Sequence, residues 1–198
     1  MMDGRTRDIV NAAYNLFKLQ GYDQVSVLDI CRACGMTKPT FYKYMSSKKN
    51  ILVALFKDKE DFIYPDVLAL YENGALLPAL FKGLTFNHEV AREIGPELMV
   101  NYVNTLLEDH LPNFSFSPKM RELMEKILGD LISSGQIHTS TNPDNLYTIL
   151  CSMDQGLLLK WTVSHGNFSL ENEFQEILSI VLELKKNDQQ KLGQAYKV

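Results

Sequence analysis

Apolar residues recur at helical spacing along almost the whole chain, and this periodicity constrains the fold more than any other feature. The first set is Ile9, Ala12, Ala13, Leu16 and Phe17, which lie on one helix face because they follow the i, i+3, i+4, i+7, i+8 spacing. No stretch of useful length alternates between apolar and polar residues as a strand would. With 45% hydrophobic and 22% charged residues, the chain can form a core. The sequence therefore predicts an all-α fold.

Helix boundaries are closely spaced in the first fifty residues. Gly21 follows the first helix at the position of a left-handed cap, and Ser26 can cap a second helix. Gly35 ends the second helix after about two turns. Thr37 can cap a third helix with Pro39 in its first turn, where a missing backbone N–H costs nothing. Short helices joined by a Gly-containing turn predict a helix-turn-helix unit.

Longer periodic segments fill the rest of the chain. A fourth helix is expected to begin near Lys48, and Pro65 is expected to kink or end it because proline lacks a backbone N–H. Further helices are predicted over 119–133, from 142 to about 165, and from 169 to about 186.

Charge is distributed unevenly between the two parts of the chain. Residues 1–50 hold eight lysines and arginines against four acidic residues, so their net charge is +4, while the rest carries −8 of the total of −4. A basic amino-terminal part on an acidic body indicates that the first quarter meets an anion. No apolar run approaches the roughly 20 residues that span a bilayer, and no signal segment opens the sequence. Three cysteines define no disulfide framework, so we expect a cytoplasmic protein with no membrane partner.

The predicted third helix, over 37–44, carries the groups that a DNA-reading helix needs. Such a helix must protrude into a major groove about 12 Å wide and present polar groups at its exposed start. Its start offers two threonine hydroxyls and the ammonium of Lys38, while Phe41 has the spacing to face inward against Ile30 and Phe17. This arrangement predicts a helix that is anchored by one side chain and exposed at the others.

In this region the sequence strongly resembles the TetR family of bacterial transcriptional repressors. The matching residues are Ile9, Ala12, Ala13, Leu16, Phe17, Gly21, Tyr22, Ser26, Val27, Asp29, Ile30, Gly35, Thr40, Phe41, Tyr42, Lys43, Tyr44, Ser47, Lys48 and Leu52. The resemblance implies an amino-terminal three-helix helix-turn-helix domain over 1–47 and a larger helical ligand-binding and dimerisation domain over 48–187. A polar carboxy-terminal tail follows over 188–198.

The same resemblance implies a set of DNA contacts. The residues concerned are Ser26, Thr37, Lys38, Thr40, Tyr42, Lys43 and Lys48. Two threonines and two lysines of the third helix would face bases or nearby phosphates, Tyr42 and Lys48 would hold the backbone, and Ser26 would cap the second helix near a phosphate. Pro39 departs from the family pattern, in which a small residue is usual, and it changes the helix entry. Lys49 is interpreted as an ordinary solvated lysine.

The last two predicted helices are apolar on more than one side. A helix with two apolar stripes must be covered on both, either inside the bundle or by a second subunit, and the width of the apolar surface favours a homodimer. The residues expected at the dimer interface are Leu146, Ile149, Leu150, Met153, Leu157, Phe174, Ile177, Leu178, Val181 and Leu182.

Aromatic, sulfur-containing and a few polar residues in the middle of the chain suit an apolar ligand with a polar end. The candidate pocket residues are Phe62, Phe86, Met99, Tyr102, Leu106, Phe114, Met124, Cys151, Asp154 and Trp161. Each of them taken alone is more often plain core. Asp154 and Tyr102 would be the most informative if buried, because buried polar groups need partners.

Neither metal nor catalytic chemistry has a convincing signature in the sequence. Cys31 and Cys34 form a C-x-x-C pair, but they fall on one helix among small buried positions and no second pair completes a zinc site. The four histidines are far apart and are interpreted as surface or loop residues. There is no nucleophile elbow, phosphate loop or H-E-x-x-H motif. We therefore expect no metal, no cofactor and no enzymatic activity.

Taken together, these features predict a homodimeric, ligand-responsive transcriptional regulator, most simply a repressor that binds a palindromic operator in double-stranded DNA. The fourth helix would serve as the hinge between effector and DNA. Two alternatives stay open: a DNA-binding regulator without small-molecule control, and a helical enzyme or carrier with a vestigial helix-turn-helix. A steep salt dependence of DNA binding separates the last of these from the regulators.

Overall fold

A computed structural model describes residues 2–109 and 117–184, and within them the chain forms eight α-helices and no strand. The helices are α1 Gly4–Gln20, α2 Val27–Ala33, α3 Lys38–Tyr44, α4 Asn50–Glu72, α5 Leu76–Glu108, α6 Pro118–Ser133, α7 Pro143–Val163 and α8 Leu170–Val181. The predicted all-α fold is confirmed. No helix in this described part is both long and apolar enough to cross a membrane.

Helix α1 shows how local sequence sets the boundaries. The Asp3 carboxylate caps its start by accepting a hydrogen bond from the backbone N–H of Thr6 at 3.0 Å. Gly21, with φ of 85°, lies in a region that other residues avoid, and it ends the helix. Ile9 and Phe17 are among the residues that α1 buries. The apolar face predicted from the spacing is therefore the face that packs.

The chain divides into two compact units. The first comprises the described residues of 1–61 and 97–113, and the second those of 62–96 and 114–198. In the first unit, the rings of Phe56 and Tyr102 stack with centroids 4.0 Å apart and planes 7° apart. The guanidinium of Arg7 donates two hydrogen bonds to the carboxylate of Asp58, at 2.8 and 3.2 Å. The first contact packs α4 against the second segment of α5, and the second ties α4 to α1.

The second unit is built mainly from α6, α7, α8 and the first part of α5. Helix α6 buries six apolar side chains along one face: Met120, Leu123, Met124, Ile127, Leu128 and Leu131. Arg92 on α5 forms an ion pair with Glu171 on α8, with N and O atoms 2.6 Å apart. The Tyr71 hydroxyl donates to Asp130 at 2.7 Å, which ties the end of α4 to α6.

One predicted helix end is wrong, and Pro65 does not end α4; each outcome has a local cause. Helix α4 continues through Pro65 to Glu72, because the proline is exposed and buried residues on either side of it, Ile63 and Val67, hold the helix in place. Helix α8 ends at Val181 rather than near residue 186, since Glu183 adopts a positive φ of 49°.

Helix α5 is broken in the middle. Gly95 has φ of 81° and ψ of 163°, which no helix accommodates, and Pro96 begins the second segment of α5. Residues 76–96 consequently belong to the second unit and residues 97–108 to the first.

Candidate functional site

Helix α2 starts with a complete capping box. The backbone N–H of Asp29 donates to Ser26 Oγ at 3.3 Å, and the backbone N–H of Ser26 donates to Asp29 Oδ2 at 2.9 Å. The Ser26 hydroxyl also donates to Asp29 Oδ2 at 2.5 Å, and these bonds lower the pKa of Asp29. Ser26 is exposed, so it caps the helix at a surface, as the sequence predicts.

A tight turn joins α2 to α3. Gly35 has φ of 59°, and the backbone N–H of Met36 donates back to the carbonyl of Cys31 at 2.9 Å. Thr37 then caps α3: its Oγ1 accepts from the N–H of Thr40 at 3.4 Å and lies 2.9 Å from Thr40 Oγ1. The turn thus begins α3 with a pair of threonine hydroxyls beside each other.

Helix α3 is held by one apolar side chain. Phe41 is fully buried, as are Ile30 on α2 and Phe17 on α1, so the predicted inward position of Phe41 is the one observed. The ring of Tyr42 meets that of Phe41 edge to face, with centroids 5.4 Å apart, yet 53% of Tyr42 remains exposed. Met45, directly after the helix, is also buried.

The rest of α3 forms a surface that we call the α3 face: Lys38, Pro39, Tyr42, Lys43 and Tyr44. All five residues are exposed. The face contains two ammonium groups and no acidic side chain, and it adjoins the hydroxyls of Thr37 and Thr40. It presents cations, hydroxyls and aromatic rings, the groups that bind phosphates and base edges.

Lys48 is positioned differently from the lysines of the α3 face. Its Nζ donates to the backbone carbonyls of Tyr22 at 2.8 Å and Val25 at 3.0 Å, and it lies 4.1 Å from the centre of the Tyr22 ring. Burial lowers the pKa of Lys48, and the neighbouring Asp23 partly offsets this. The ammonium therefore fastens the α1–α2 loop to the segment before α4, while a phosphate contact by Lys48 stays a prediction.

Lys49 is not an ordinary solvated lysine. Its Nζ pairs with a carboxylate oxygen of Asp109 and, at 3.3 Å, with Glu108, both at the end of α5. The hydrogen bond with Asp109 is the largest cause of the raised pKa of Lys49. Sequence reasoning missed this pair because about 60 residues separate its members, and no local pattern links such distant charges.

One histidine interpretation is wrong as well. His88 on α5 is fully buried, and its Nε2 lies 2.5 Å from Oδ1 of Asp154 on α7. Asp154 is buried, which is the outcome that the sequence identified as informative for this residue. The sequence contained a signal that could have predicted this burial. Leu84 and Ala91 lie on the same helix face as His88, at i−4 and i+3, and both are apolar and buried.

The predicted pocket residues are distributed over both units. Met99, Tyr102 and Leu106 are buried in the first unit, and Phe86, Met124, Asp154 and Trp161 are buried in the second. Cys151 is half-buried, Phe62 is 79% exposed, and Phe114 lies outside the described residues. Burial raises the pKa of Cys151 to about 12, and burial also raises the pKa of Tyr102.

The residues expected at the dimer interface differ in burial: six are buried, Ile177 and Val181 on α8 are half-buried, and two are exposed. The chain's own core already covers six of the ten: Leu146, Leu150, Leu157, Phe174, Leu178 and Leu182. Ile149 and Met153 are exposed on α7, together with Leu159 and Val163, and Ile180 is exposed on α8. These five residues are called the α7–α8 apolar face below.

The cysteine pair forms no recognisable reactive site. Cys31 is buried, and the half-buried Cys34 places its Sγ 3.9 Å from the carbonyl oxygen of Asp8. Burial raises the pKa of Cys34, which disfavours the reactive thiolate. Among residues 2–109 and 117–184, no three His, Cys, Asp or Glu side chains are grouped so that they could hold a metal ion.

Known proteins are similar to this chain in sequence or in fold. Residues 9–55 match the family described as "Bacterial regulatory proteins, tetR family". The "Fatty acid metabolism regulator protein" of Bacillus subtilis (strain 168) is 26% identical over 144 residues, which cover 65% of this chain and 69% of that protein.

Two solved structures illustrate the similarity of fold. FadR of Thermus thermophilus, a TetR-family transcriptional repressor in complex with lauroyl-CoA, superposes with a TM-score of 0.66 at 20% identity, covering 90% of this chain and 93% of that one. A gamma-butyrolactone receptor (ArpA-like protein) superposes with a TM-score of 0.57 at 16% identity, covering 96% and 94%. At these identities the two structures are evidence for the fold alone.

Proposed function

This chain is a TetR-family transcriptional regulator, and from that premise we propose that it is a repressor that binds a palindromic operator as a homodimer and releases it when a small-molecule effector binds. The observation that carries the proposal is the α3 face. A short helix is anchored by the buried Phe41 and exposes two lysines, two tyrosines and a proline. That is the geometry of a recognition helix in a helix-turn-helix unit.

In this proposal, the α3 face and the two threonines beside it have separate tasks. Thr37 and Thr40 lie at the start of α3, the part of a recognition helix that reaches base edges, and hydroxyls can donate to or accept from any base. Lys38, Tyr42 and Lys43, which are exposed, would bind phosphates, which fix the register without reading sequence. Pro39 is exposed within the same face and offers the DNA only a nonpolar contact.

The α7–α8 apolar face supports the homodimer. Its residues on α7, Ile149, Met153, Leu159 and Val163, fall along one side of the helix, and they flank Gly156. A Cβ built on Gly156 would meet no atom within 4 Å, so this glycine leaves open space on the surface of the chain. A second copy of α7 could approach closely there and cover the apolar side chains.

Control by a small molecule is the third part of the proposal. The related Bacillus subtilis protein is named as a regulator of fatty acid metabolism, and the Thermus thermophilus repressor was crystallised with lauroyl-CoA. Acyl compounds are therefore the first effectors to test. The effector would act by binding more tightly to a state of the dimer that binds DNA poorly, which is the thermodynamic requirement for release.

The experiment that tests this function is selection of bound sequences from random DNA, with and without cell extract. We expect a palindrome whose half-site centres are about 34–36 Å apart, or a multiple of that spacing. Lys43→Ala should weaken binding to all sequences alike, and Thr40→Ala should change the preferred sequence. Lys126→Ala, an exposed lysine on α6, serves as the matched control and should change neither.

Each alternative has its own outcome in the same experiment. A palindrome whose binding no extract or acyl compound relieves would indicate a regulator without small-molecule control. Binding that is weak and nearly independent of salt would indicate a vestigial helix-turn-helix, because phosphate contacts produce a steep salt dependence. Failure to enrich any sequence would refute the proposed function.

A further inference from the structure

The buried pair of His88 and Asp154 joins three helices of the second unit. Nε2 of His88 on α5 lies 2.5 Å from Oδ1 of Asp154 on α7, and both side chains are almost completely withdrawn from solvent. The ring of Phe174 on α8 meets the imidazole edge to face, with centroids 5.3 Å apart. Two ionisable groups thus lie together in the interior of the second unit.

The proton content of this pair follows from the cost of burying a net charge. Burial raises the pKa of Asp154, although the hydrogen bond with His88 opposes this. Two arrangements leave the pair neutral overall: an imidazolium beside a carboxylate, or a neutral imidazole beside a carboxylic acid that donates to Nε2. In both arrangements the second ring nitrogen, Nδ1, carries a proton. The third arrangement, with Nδ1 bare, would bury a net negative charge.

Nδ1 of His88 is itself fully buried, and none of the described residues forms a hydrogen bond with it. A buried donor without an acceptor is unfavourable, and native proteins rarely leave one unsatisfied. The side chain is fixed by Asp154 on one edge and by its contact with the Phe174 ring, so Nδ1 cannot turn away to another partner.

We propose that Nδ1–H of His88 donates a hydrogen bond to the effector, and that the effector is a neutral carbonyl compound with an apolar chain. The proposal rests on the proposed function, because it identifies the ligand class of a ligand-responsive regulator. A donor selects an acceptor oxygen, and a ketone, ester, thioester or lactone supplies one. A carboxylate would add a charge beside a pair that is already neutral, and it would need a further cation.

The surroundings of the pair favour the apolar part of such a molecule. Leu84 and Ala91 flank His88 on the same face of α5, and Leu150, Leu157 and Leu158 lie one turn from Asp154 on α7. All five residues are buried and apolar. A ligand that reaches Nδ1 would therefore make apolar contacts with these side chains and one hydrogen bond with Nδ1.

The first test observes Nδ1 directly in the full-length protein. Labelling with 15N-histidine gives signals from only four residues, and replacing the other three histidines one at a time assigns that of His88. We expect a protonated Nδ1 that exchanges slowly with solvent. Adding 2-nonanone should shift this signal, whereas nonane at saturation should not. A bare Nδ1, or an unchanged signal in protein that binds 2-nonanone, would overturn the proposal.

A matched pair of variants separates the two edges of the ring. His88→Gln extends an amide towards Asp154 and removes the donor at the Nδ1 position, whereas His88→Asn places an amide near Nδ1 and loses the contact with Asp154. We expect His88→Gln to bind 2-nonanone about tenfold more weakly, as one lost hydrogen bond implies. His88→Asn should retain more of the affinity. The opposite order would contradict the assignment.

Operator binding is measured separately, so the two proposals can fail independently. If the protein binds its operator and releases it with cell extract, but 2-nonanone does not shift the Nδ1 signal, the inference about His88 fails and the proposed regulatory function stands. If no operator is found, while 2-nonanone shifts the Nδ1 signal, the regulatory function fails and the carbonyl site stands.

Discussion

Replacing Lys48 with methionine should destabilise the protein in the absence of any DNA. In the unsubstituted protein, the carbonyls of Tyr22 and Val25 accept hydrogen bonds from Lys48 Nζ at 2.8 and 3.0 Å. Methionine keeps the apolar stem over the Tyr22 ring but cannot donate these two hydrogen bonds. Hydrogen bonds to a charged group are worth roughly 1.5–3 kcal/mol each. Because Lys48 is only half-buried, solvent screening reduces the total to about 1–2 kcal/mol.

Thermal and urea unfolding measure this loss. For a chain of this size, we expect a decrease in Tm of about 2–8 °C and a lower urea midpoint with an unchanged slope. Lys43→Met is the matched control, since Lys43 is exposed on the α3 face and surface substitutions are usually worth within about 0.5 kcal/mol.

The same two variants behave differently towards DNA. Lys43 is expected to neutralise a phosphate, so Lys43→Met should lower the slope of log K against log salt by about one. The Lys48 ammonium is held by two carbonyls of the α1–α2 loop. Little change in that slope for Lys48→Met would therefore show that Lys48 acts through the fold, whereas a decrease of about one would support its predicted phosphate contact. Equal stability of the two variants, together with equal losses of salt dependence, would refute the structural role of Lys48.

Two further predictions concern α7. Gly156→Ala should stabilise the single chain by about 0.8–1.0 kcal/mol, because the added Cβ meets no atom and alanine favours helix. Gly156→Arg should produce monomers in sedimentation experiments without lowering helix content. A Gly156→Arg protein that stays dimeric would remove α7 from the interface. With a pKa of about 12 against the usual 9.0, the Cys151 thiol should react with iodoacetamide at pH 8 about 10³-fold more slowly than in the urea-unfolded chain. Between pH 9 and 12 the folded protein keeps a proton on Cys151 that the unfolded chain has lost, so this thiol should lower the free energy of unfolding as pH rises. Equal labelling rates in the folded and the urea-unfolded chain would contradict the burial of Cys151.

The amino-terminal helices could be predicted from sequence because local chemistry decides them. Ser26 and Thr37 cap the helices that follow them, and Gly35 adopts the positive φ that its position required. Phe41 lies where its spacing indicated. Each of these signals connects residues no more than a few positions apart, so the chain carries the information in short windows.

Contacts between distant segments could not be predicted in the same way. His88 and Asp154 are 66 residues apart, and Lys49 and Asp109 are 60 apart. In a single sequence each of these groups resembles an ordinary polar residue, and only the packing of the helices identifies its partner. Pro65 does not end α4 for a related reason: burial of Ile63 and Val67 outweighs the hydrogen bond that proline removes.

The α7–α8 apolar face also has a consequence for gene dosage. If two chains must meet before either can hold a duplex, the amount of competent repressor grows with roughly the square of chain abundance whenever pairs are scarce. A cell in which the abundance of this chain falls by half, as after a pause in synthesis, would then lose far more than half of the dimers that can bind the target promoter. The row of exposed side chains from Ile149 to Val163 would thereby set the threshold at which silencing begins.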